Sequence, residues 1–259
     1  MQILNFMKNF FKIVFKKLDI GIVRYAKLLS LQEYPKDIEK ILNLTDEKII
    51  NFIKVKNKSK AELKQDLFVL LELNFKKKGF FVEFGATNGF SDSNTYLLEK
   101  EFKWSGILAE PNKIFYRKIK LNRSCYIETS CVYNSTGNFV NFVETRNPNL
   151  STIDLFKNFD LHKKDRKKLK TYRVRTISLI DLLKKYNAPK IIDYLSIDTE
   201  GSEFEILKNF DFNSYKFKVI TVEHNFNSSR KKIYDLLTNQ GYKRKYIGLS
   251  NWDDWYVKN

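Results

Sequence analysis

The sequence contains few of the residues that build disulfide-bonded, zinc-bound or repetitive proteins. Its 259 residues include two cysteines, Cys125 and Cys131, together with nine glycines and four prolines. Two cysteines cannot form a disulfide framework, and without a Cys-x-x-Cys pair no zinc or dithiol redox site is expected. So few glycines and prolines also exclude a repeat filament or a low-complexity linker. The low cysteine content predicts a reducing, cytoplasmic setting.

The chain has enough apolar residues for one substantial core, and it has a large excess of positive charge. Hydrophobic residues make up 43% of the chain and aromatic residues 15%, which excludes global disorder. Lys and Arg number 47 against 30 Asp and Glu, a formal net charge of +17. Such a field favours anionic partners, namely nucleic acid, acidic lipid or a phosphate-bearing small molecule. The excess is concentrated in residues 1–31 and residues 156–175.

Residues 1–31 alternate apolar and basic positions at helical spacing. Ile3, Met7, Phe10 and Val14 can share one helix face. Lysine recurs too often for a signal-peptide core, and no apolar run here is long enough to span a bilayer. Two interpretations stay open. The helix makes a peripheral contact with the inner membrane surface, or it packs against the main domain or against a second copy in a homo-oligomer.

The remaining pattern predicts an α/β fold with a helical N-terminal extension, residues 1–77, and a main domain, residues 78–259. From residue 80 onward, short apolar runs alternate with helical runs, which is typical of βαβ units and a largely parallel sheet with helices on both faces. An antiparallel pair is predicted at the C-terminal end. The predicted strands are 80–84, 105–110, 124–132, 172–178, 191–198, 217–224, 242–247 and 252–257, the helices are 91–103, 112–121, 179–186, 201–208 and 227–239, and a hairpin centred on Gly137 is predicted at 133–146.

The first two predicted strands end in a pattern typical of nucleoside binding. The first is followed by Gly85-Ala86-Thr87-Asn88-Gly89, small residues that let the backbone approach a ligand ahead of a helix N-terminus. The second ends at Glu110, 25 positions after Gly85, close to the ~20-residue spacing of a ribose-binding carboxylate. A strand-to-helix turn without a ligand is the alternative interpretation. The pair predicts a nucleoside-containing cofactor lying across both strands.

The identity of residue 87 argues against a dinucleotide, because the Gly-x-Gly-x-x-Gly fingerprint needs glycine where this chain has Thr87. S-adenosylmethionine suits the pattern better. Its ribose can bind Glu110, its carboxylate the helix N-terminus, and its ammonium can be held in part by Glu83. The hypothesis from these residues is a class I methyltransferase.

Three longer motifs resemble the FkbM family of S-adenosylmethionine-dependent methyltransferases. They are residues 81–99, residues 104–112, and residues 194–205 with their Asp-x-Glu-Gly-x-Glu signature. The resemblance spans about residues 78–257 and leaves residues 1–77 unexplained. It implies a Rossmann-like fold with an antiparallel C-terminal strand, and O-methylation of hydroxyls, mostly on sugars and glycosylated natural products and often in surface-polysaccharide pathways. Residues implied to bind the cofactor are Glu83, Phe84, Gly85, Ala86, Gly89, Ser93, Asn94, Glu110, Pro111, Asn112 and Asp198, with Ser130 and Cys131 expected beside the adenine.

Methyl transfer to a sugar hydroxyl needs a general base, or a divalent cation that makes the hydroxyl more acidic. Asp198 at the end of the fourth strand, with Glu223 and His224 at the end of the fifth, can supply either one. Oxygen-rich ligation with one imidazole favours Mg²⁺ or Mn²⁺ over zinc. The resemblance points the same way, since metal-dependent sugar O-methyltransferases have similar arrangements. An ordinary hydrogen-bonded histidine is the alternative for His224.

The basic segment 156–175 indicates how the acceptor is held. Its lysines and arginines can bind the diphosphate of a nucleotide-linked sugar such as a GDP-heptose, or they can form a solvated helix. A nucleic-acid methyltransferase or binder is the second class of function that the +17 charge allows. That class predicts an Asn/Asp-Pro-Pro-Tyr motif after the fourth strand, where this chain has an acidic loop, Asp198-Thr199-Glu200-Gly201. A small-molecule sugar acceptor, and not nucleic acid, is therefore expected.

Overall fold

Short apolar strands and amphipathic helices alternate along most of the chain. The computed structural model describes Glu33, residues 35–41 and residues 43–258, so the amphipathic segment 1–31 lies outside the described residues. None of the helices in these ranges is long and apolar enough to cross a membrane. The strands are β1 (Phe80–Phe84), β2 (Ser105–Ala109), β3 (Tyr126–Glu128), β4 (Cys131–Tyr133), β5 (Phe139–Thr145), β6 (Thr152–Ile153), β7 (Lys168–Ser178), β8 (Ile191–Ile197), β9 (Lys216–Glu223), β10 (Tyr242–Lys245) and β11 (Asp253–Lys258).

Helices connect these strands and precede the first of them. Residues 35–41 are helical. The further helices are α1 (Asp46–Val55), α2 (Gln65–Glu72), α3 (Tyr96–Phe102), α4 (Tyr116–Asn122), α5 (Leu179–Lys185), α6 (Glu203–Leu207) and α7 (Ser229–Asn239).

The main sheet has seven strands in the order β10-β11-β9-β8-β1-β2-β3. Strands β1, β2, β3, β8 and β9 pair in parallel, and β11 is antiparallel to both of its neighbours. The predicted α/β class, the mostly parallel sheet and the antiparallel C-terminal pair are therefore confirmed. The chain runs outward from β1 to β3 and then returns to the other side of β1 at β8. This reversal places a ligand-binding crevice at the carboxyl ends of β1 and β8.

Successive residues of each central strand point into two apolar cores, one on each face of the sheet. Val82 packs with α5, α6 and α7, while its neighbour Phe81 packs with α2, α3 and α4. Both side chains are fully buried, and each such burial contributes roughly 1.5–3 kcal/mol. Helices cover both faces, as predicted. Because α2 belongs to the same core as Phe81, the residues just before β1 are packed on the main domain.

A second sheet, in the order β4-β7-β5-β6, lies between β3 and β8 in the chain. The predicted hairpin at 133–146 is wrong, because the strands on either side of Gly137 do not pair with each other. Strand β7 lies between them, parallel to β4 and antiparallel to β5. With eleven residues it is long enough to pair with both, whereas the sequence pattern predicted only residues 172–178.

The predicted strand 124–132 is two strands in two different sheets. Strand β3 ends the main sheet at Glu128, and Cys131 begins β4 in the second sheet. The Glu128 carboxylate accepts a hydrogen bond from the Ser130 N–H at 2.8 Å, which stabilises the turn between them. Apolar periodicity alone cannot show this change of sheet.

Helix α3 begins at Tyr96 and not at the predicted residue 91, because the preceding residues bind a buried carboxylate. Glu83 accepts hydrogen bonds from the Asn94 N–H at 2.7 Å and from Ser93 Oγ at 3.1 Å. Arg123 lies against the same group, with its guanidinium 3.6 Å from Glu83 and 2.6 Å from Glu99. A fully buried guanidinium therefore joins the end of α4 to β1, α3 and the loop between them.

Replacing Arg123 by Met should destabilise the protein by about 3–5 kcal/mol, because two buried carboxylates lose their countercharge. We expect the melting temperature to fall by about 10 °C in a thermal unfolding scan. The matched control is Arg117→Met, which removes an exposed arginine from the same helix and should change the melting temperature little. Equal shifts for the two variants would show that the Arg123 network does not stabilise the fold.

Candidate functional site

A cavity of about 460 Å³ opens at the carboxyl ends of the central strands. It lies where the chain reversal between β1 and β8 predicts a ligand. Its volume falls within the range of small-molecule sites. Of the residues predicted to form the site, seven line it: Phe84, Gly85, Glu110, Pro111, Cys131, Asp198 and Glu223.

The turn after β1 depends on a glycine at its first position. Gly85 has a φ of +73°, and a Cβ there would lie 1.7 Å from the carbonyl oxygen of Asp198. The ends of β1 and β8 therefore approach each other closely, and the backbone of Gly85 faces the cavity without a side chain. Any larger residue would push the two strand ends apart.

Glu110 is held in the position predicted for a ribose-binding carboxylate. One carboxylate oxygen accepts from the Thr87 N–H at 2.8 Å, and the other from the Asn112 N–H at 2.7 Å. The side chain is buried yet lines the cavity. Burial raises its pKa from the ordinary value near 4.5 to about 7, although both N–H groups act in the opposite direction.

Glu83 does not line the cavity. Its carboxylate is taken up by Ser93, Asn94, Thr95 and Arg123 beneath the turn. Ser93 and Asn94, also predicted to bind the cofactor, belong to this supporting network, and the Asn94 amide donates to Ser196 Oγ at 2.9 Å. These residues shape the turn from behind.

Four further predicted residues lie beside the cavity and do not line it. Ala86 packs in the apolar core, and Gly89 lies against Arg123. The Asn112 amide donates to Ser151 Oγ at 3.1 Å, and Ser130 is part of the turn between β3 and β4.

One end of the cavity is apolar. Its walls there are Cys131 and Val132 of β4, Phe142 of β5 and Ile153 of β6, so the second sheet forms this end. Burial raises the pKa of the Cys131 thiol to about 12, which keeps it neutral. Cys131 is thus an apolar wall residue of the cavity.

Three carboxylates meet at the ends of β8 and β9. Asp198, Glu200 and Glu223 each place an oxygen within 4.8 Å of the others. Burial and mutual repulsion raise the pKa of Asp198 and of Glu223 well above the usual range. Glu200 was not among the predicted site residues, although its spacing two residues after Asp198 in the acidic signature could have identified it.

His224 lies outside this carboxylate group, contrary to the predicted ligand set. Its Nδ1 accepts a hydrogen bond from the Phe226 N–H at 2.9 Å, and its Nε2 is 3.7 Å from Asp254. Burial lowers the pKa of His224 to about 4, so the ring is neutral at physiological pH. Its observed contact holds the turn after β9, where Asn225 and Phe226 line the cavity.

The basic segment 156–175 forms a short 3-10 helix, Leu161–Lys164, and most of strand β7, and it contains no α-helix. Within the described ranges, no lysine or arginine lines the cavity, although Leu161 and His162 of this segment do. Arg166 is buried and bonds both Asp160 and Glu200. It therefore ties the segment to the carboxylate group.

Two exposed acidic residues at the mouth of the cavity were not among the predicted site residues. Glu62 lies outside every motif, whereas Asp92 lies within the first motif, residues 81–99, in the loop before α3. Ala61 and Asp92 form a parallel β-bridge that joins the segment before α2 to this loop. Only this contact between distant parts of the chain could have placed Glu62 in the site.

Comparisons with known proteins identify a family for most of the main domain. The sequence model of the family described as Methyltransferase FkbM domain matches residues 83–244. Among curated proteins, no sequence matches this chain significantly. Similar solved structures include precorrin-6y C5,15-methyltransferase from Geobacter metallireducens, with 12% identity, 70% of this chain and 71% of that chain covered, and a TM-score of 0.40. Another is human methyltransferase 10 domain containing protein, with 13% identity, coverage of 75% and 81%, and a TM-score of 0.39. At these TM-scores neither structure carries information on substrate.

The buried carboxyl groups should make the free protein less stable as the pH rises. A folded-state pKa of about 7 for Glu110 means that the fold retains a proton that the unfolded chain releases near pH 4.5. The folded state then binds more protons between these values, so the free energy of unfolding falls as the pH rises. We expect the melting temperature, measured in EDTA, to drop by roughly 5 °C or more from pH 5.5 to pH 8. Glu110→Gln should flatten this slope, and a melting temperature that rises over the same range would contradict the assignment.

Proposed function

The chain belongs to the FkbM methyltransferase family, and on that basis we propose that it transfers the methyl group of S-adenosylmethionine to a sugar hydroxyl. Family membership implies S-adenosylmethionine as the cofactor. The observation that carries the choice of a hydroxyl acceptor is the composition of one cavity. Glu110, the candidate ribose-binding residue, and the candidate bases Asp198 and Glu223 all line it.

The residues present fit the proposed cofactor. The apolar end formed by Cys131, Val132, Phe142 and Ile153 suits the adenine ring. The carboxylate of Glu110 has lone pairs left after binding two N–H groups, so it can accept from the ribose hydroxyls. Gly85 leaves room for the cofactor where a Cβ would fill the space. Bound S-adenosylmethionine supplies an activated methyl group on a sulfonium.

Transfer to a hydroxyl requires a base on the acceptor side. The bound cofactor would supply the methyl carbon that the hydroxyl oxygen attacks, with S-adenosylhomocysteine as the leaving group when the carbon–sulfur bond breaks. The hydroxyl proton must pass to a nearby group, since a sugar hydroxyl does not ionise alone at neutral pH. Asp198 and Glu223 lie within reach of each other, and two such carboxyls retain a shared proton while one of them stays ionised. Either can accept the proton.

A divalent cation is the second part of the proposal. Asp198, Glu200 and Glu223 form an all-oxygen group that suits Mg²⁺ or Mn²⁺. Such an ion would offset three buried negative charges, orient the acceptor hydroxyl and lower its pKa. Glu200 takes the place that the sequence suggested for His224.

The cavity lining favours an uncharged group on the acceptor. Six carboxylates line it, and no lysine or arginine of the described residues does. A diphosphate is repelled from this lining, and so is a nucleic-acid backbone. We therefore propose that the sugar enters and that the diphosphate of a nucleotide-linked sugar lies outside, near the exposed Lys163 and Lys164 that follow His162. A cytoplasmic nucleotide sugar of a capsular or surface polysaccharide, such as a GDP-heptose, combines these features.

Incubation with methyl-labelled S-adenosylmethionine and matched pairs of free and nucleotide-linked sugars tests the proposal. We expect label in a methyl ether on the sugar, with a lower KM for the nucleotide-linked member. Asp198→Asn should lower kcat by about 100-fold, the usual range for loss of a general base. Asp211→Asn, which changes an exposed aspartate, is the control.

Different outcomes of this assay test different parts of the proposal. Label in no sugar of the panel, or label in nucleic acid, would contradict the proposed acceptor. Equal turnover of the free and the nucleotide-linked sugar of a pair would show that the protein does not recognise the nucleotide. Lys163→Ala with Lys164→Ala should raise the KM of the nucleotide-linked sugar alone.

The cation has its own test, which does not depend on the acceptor. Mg²⁺ or Mn²⁺ should raise the melting temperature of the wild-type protein by roughly 2 °C or more, because a bound ligand stabilises the folded state. Glu223→Gln should abolish that rise, whereas Glu205→Gln, an exchange outside the carboxylate group, should not. No rise, together with full activity in EDTA, would leave the carboxylates as simple bases.

A further inference from the structure

The cofactor carries an ammonium group for which the sequence suggested the wrong partner. Glu83 was expected to hold this group, but its carboxylate is occupied beneath the turn and does not line the cavity. The inference that follows rests on the proposed function. If the cofactor binds as proposed, some other acidic group must neutralise its ammonium. The cavity lining contains the candidates.

The residues that line the cavity indicate in which orientation the cofactor would lie. Adenine and the amino-acid tail are attached to opposite sides of the ribose. With the ribose on Glu110 and adenine at the apolar end near Phe142, the tail extends along the turn after β1. Thr87 connects Glu110 to the loop that follows the turn. Its N–H donates to Glu110, and its hydroxyl donates to the Ser91 carbonyl oxygen at 3.4 Å. The residue after Ser91 is Asp92, which lines the mouth of the cavity.

Glu62 is held opposite this loop by a short, well-anchored segment before α2. Ala61 is fully buried and forms the β-bridge with Asp92. The Gln65 amide donates to Asp253 at 2.8 Å, and Ser59 donates to Asp66 at 2.7 Å. These contacts fix the backbone on both sides of Glu62, whose carboxylate lines the same mouth.

The two carboxylates have no lysine or arginine partner in the part of the chain that the structure describes. Neither Glu62 nor Asp92 forms an ion pair there, and they repel each other. The lysines flanking Glu62 have other contacts: Lys64 donates to the Ala61 carbonyl oxygen, and Lys60 lies 4.8 Å from the Phe90 ring. His162 also lines the cavity, and a positive charge on its ring would act on Glu62 in the direction opposite to Asp92. A cation supplied by the ligand would relieve this repulsion.

We infer that Glu62 and Asp92 together bind the ammonium of the cofactor's amino-acid tail. Glu62 lies outside residues 83–244, the part of the chain that the family model matches. The segment before α2 therefore completes the cofactor site, and the family domain alone lacks one of its binding residues.

Two ligands that differ only in the tail test this inference. S-adenosylhomocysteine carries the ammonium, whereas 5′-methylthioadenosine keeps the adenine, ribose and thioether and lacks the amino-acid tail. Binding of each to the full-length protein is measured by calorimetry. Glu62→Gln and Asp92→Asn should each weaken S-adenosylhomocysteine binding by about five- to tenfold, a moderate loss because the groups lie at an exposed mouth. Both variants should bind 5′-methylthioadenosine as the wild-type protein does.

Two further variants serve as controls. Glu110→Gln should weaken both ligands alike, since both contain the ribose. Glu47→Gln removes an exposed acid from α1, in the same extension, and should change neither affinity. Unchanged S-adenosylhomocysteine binding in Glu62→Gln, or equal weakening of both ligands, would overturn the inference. A wild-type protein that binds neither ligand would instead overturn the proposed function.

Discussion

The close approach of Gly85 to the carbonyl oxygen of Asp198 is the contact on which the site depends. A side chain at position 85 would meet that oxygen at 1.7 Å, so β1 and β8 can end side by side only with glycine there. The turn that follows then directs the Thr87 N–H at Glu110, while β8 and β9 place Asp198 beside Glu223. One backbone contact thus brings Glu110, the candidate nucleoside-binding carboxylate, and the candidate bases into one cavity.

The concentration of buried carboxylates is costly for the fold, and the surrounding structure offsets only part of the cost. Arg166 is fully buried and bonds Glu200 and Asp160, so it supplies countercharge at one side of the group. Asp198 and Glu223 lack such a partner among the described residues, and burial raises the pKa of both, so the pair retains a shared proton. Destabilised groups of this kind are common at functional sites, where a ligand or an ion completes the charge balance.

Two parts of the chain outside the parallel sheet complete the cavity. The second sheet contributes Cys131, Phe142 and Ile153, which form the apolar end. The segment before α2 contributes Glu62, an exposed acidic residue of the lining. The central sheet therefore supplies the geometry of the strand ends, while these additions supply apolar and acidic residues of the lining.

The sequence by itself determined the α/β class, the Gly85 turn, and the strand-end positions of Glu110, Asp198 and Glu223. These features depend on residues close together in the chain, where apolar periodicity and a single glycine fix the backbone. Only the tertiary structure decided that β7 separates β4 from β5, that Glu83 supports the turn from behind, and that His224 holds a turn instead of joining the carboxylates. It also placed Glu62 at the mouth of the cavity through the bridge between Ala61 and Asp92. Pairings between distant segments, and the protonation states that follow from burial, depend on packing that no local pattern encodes.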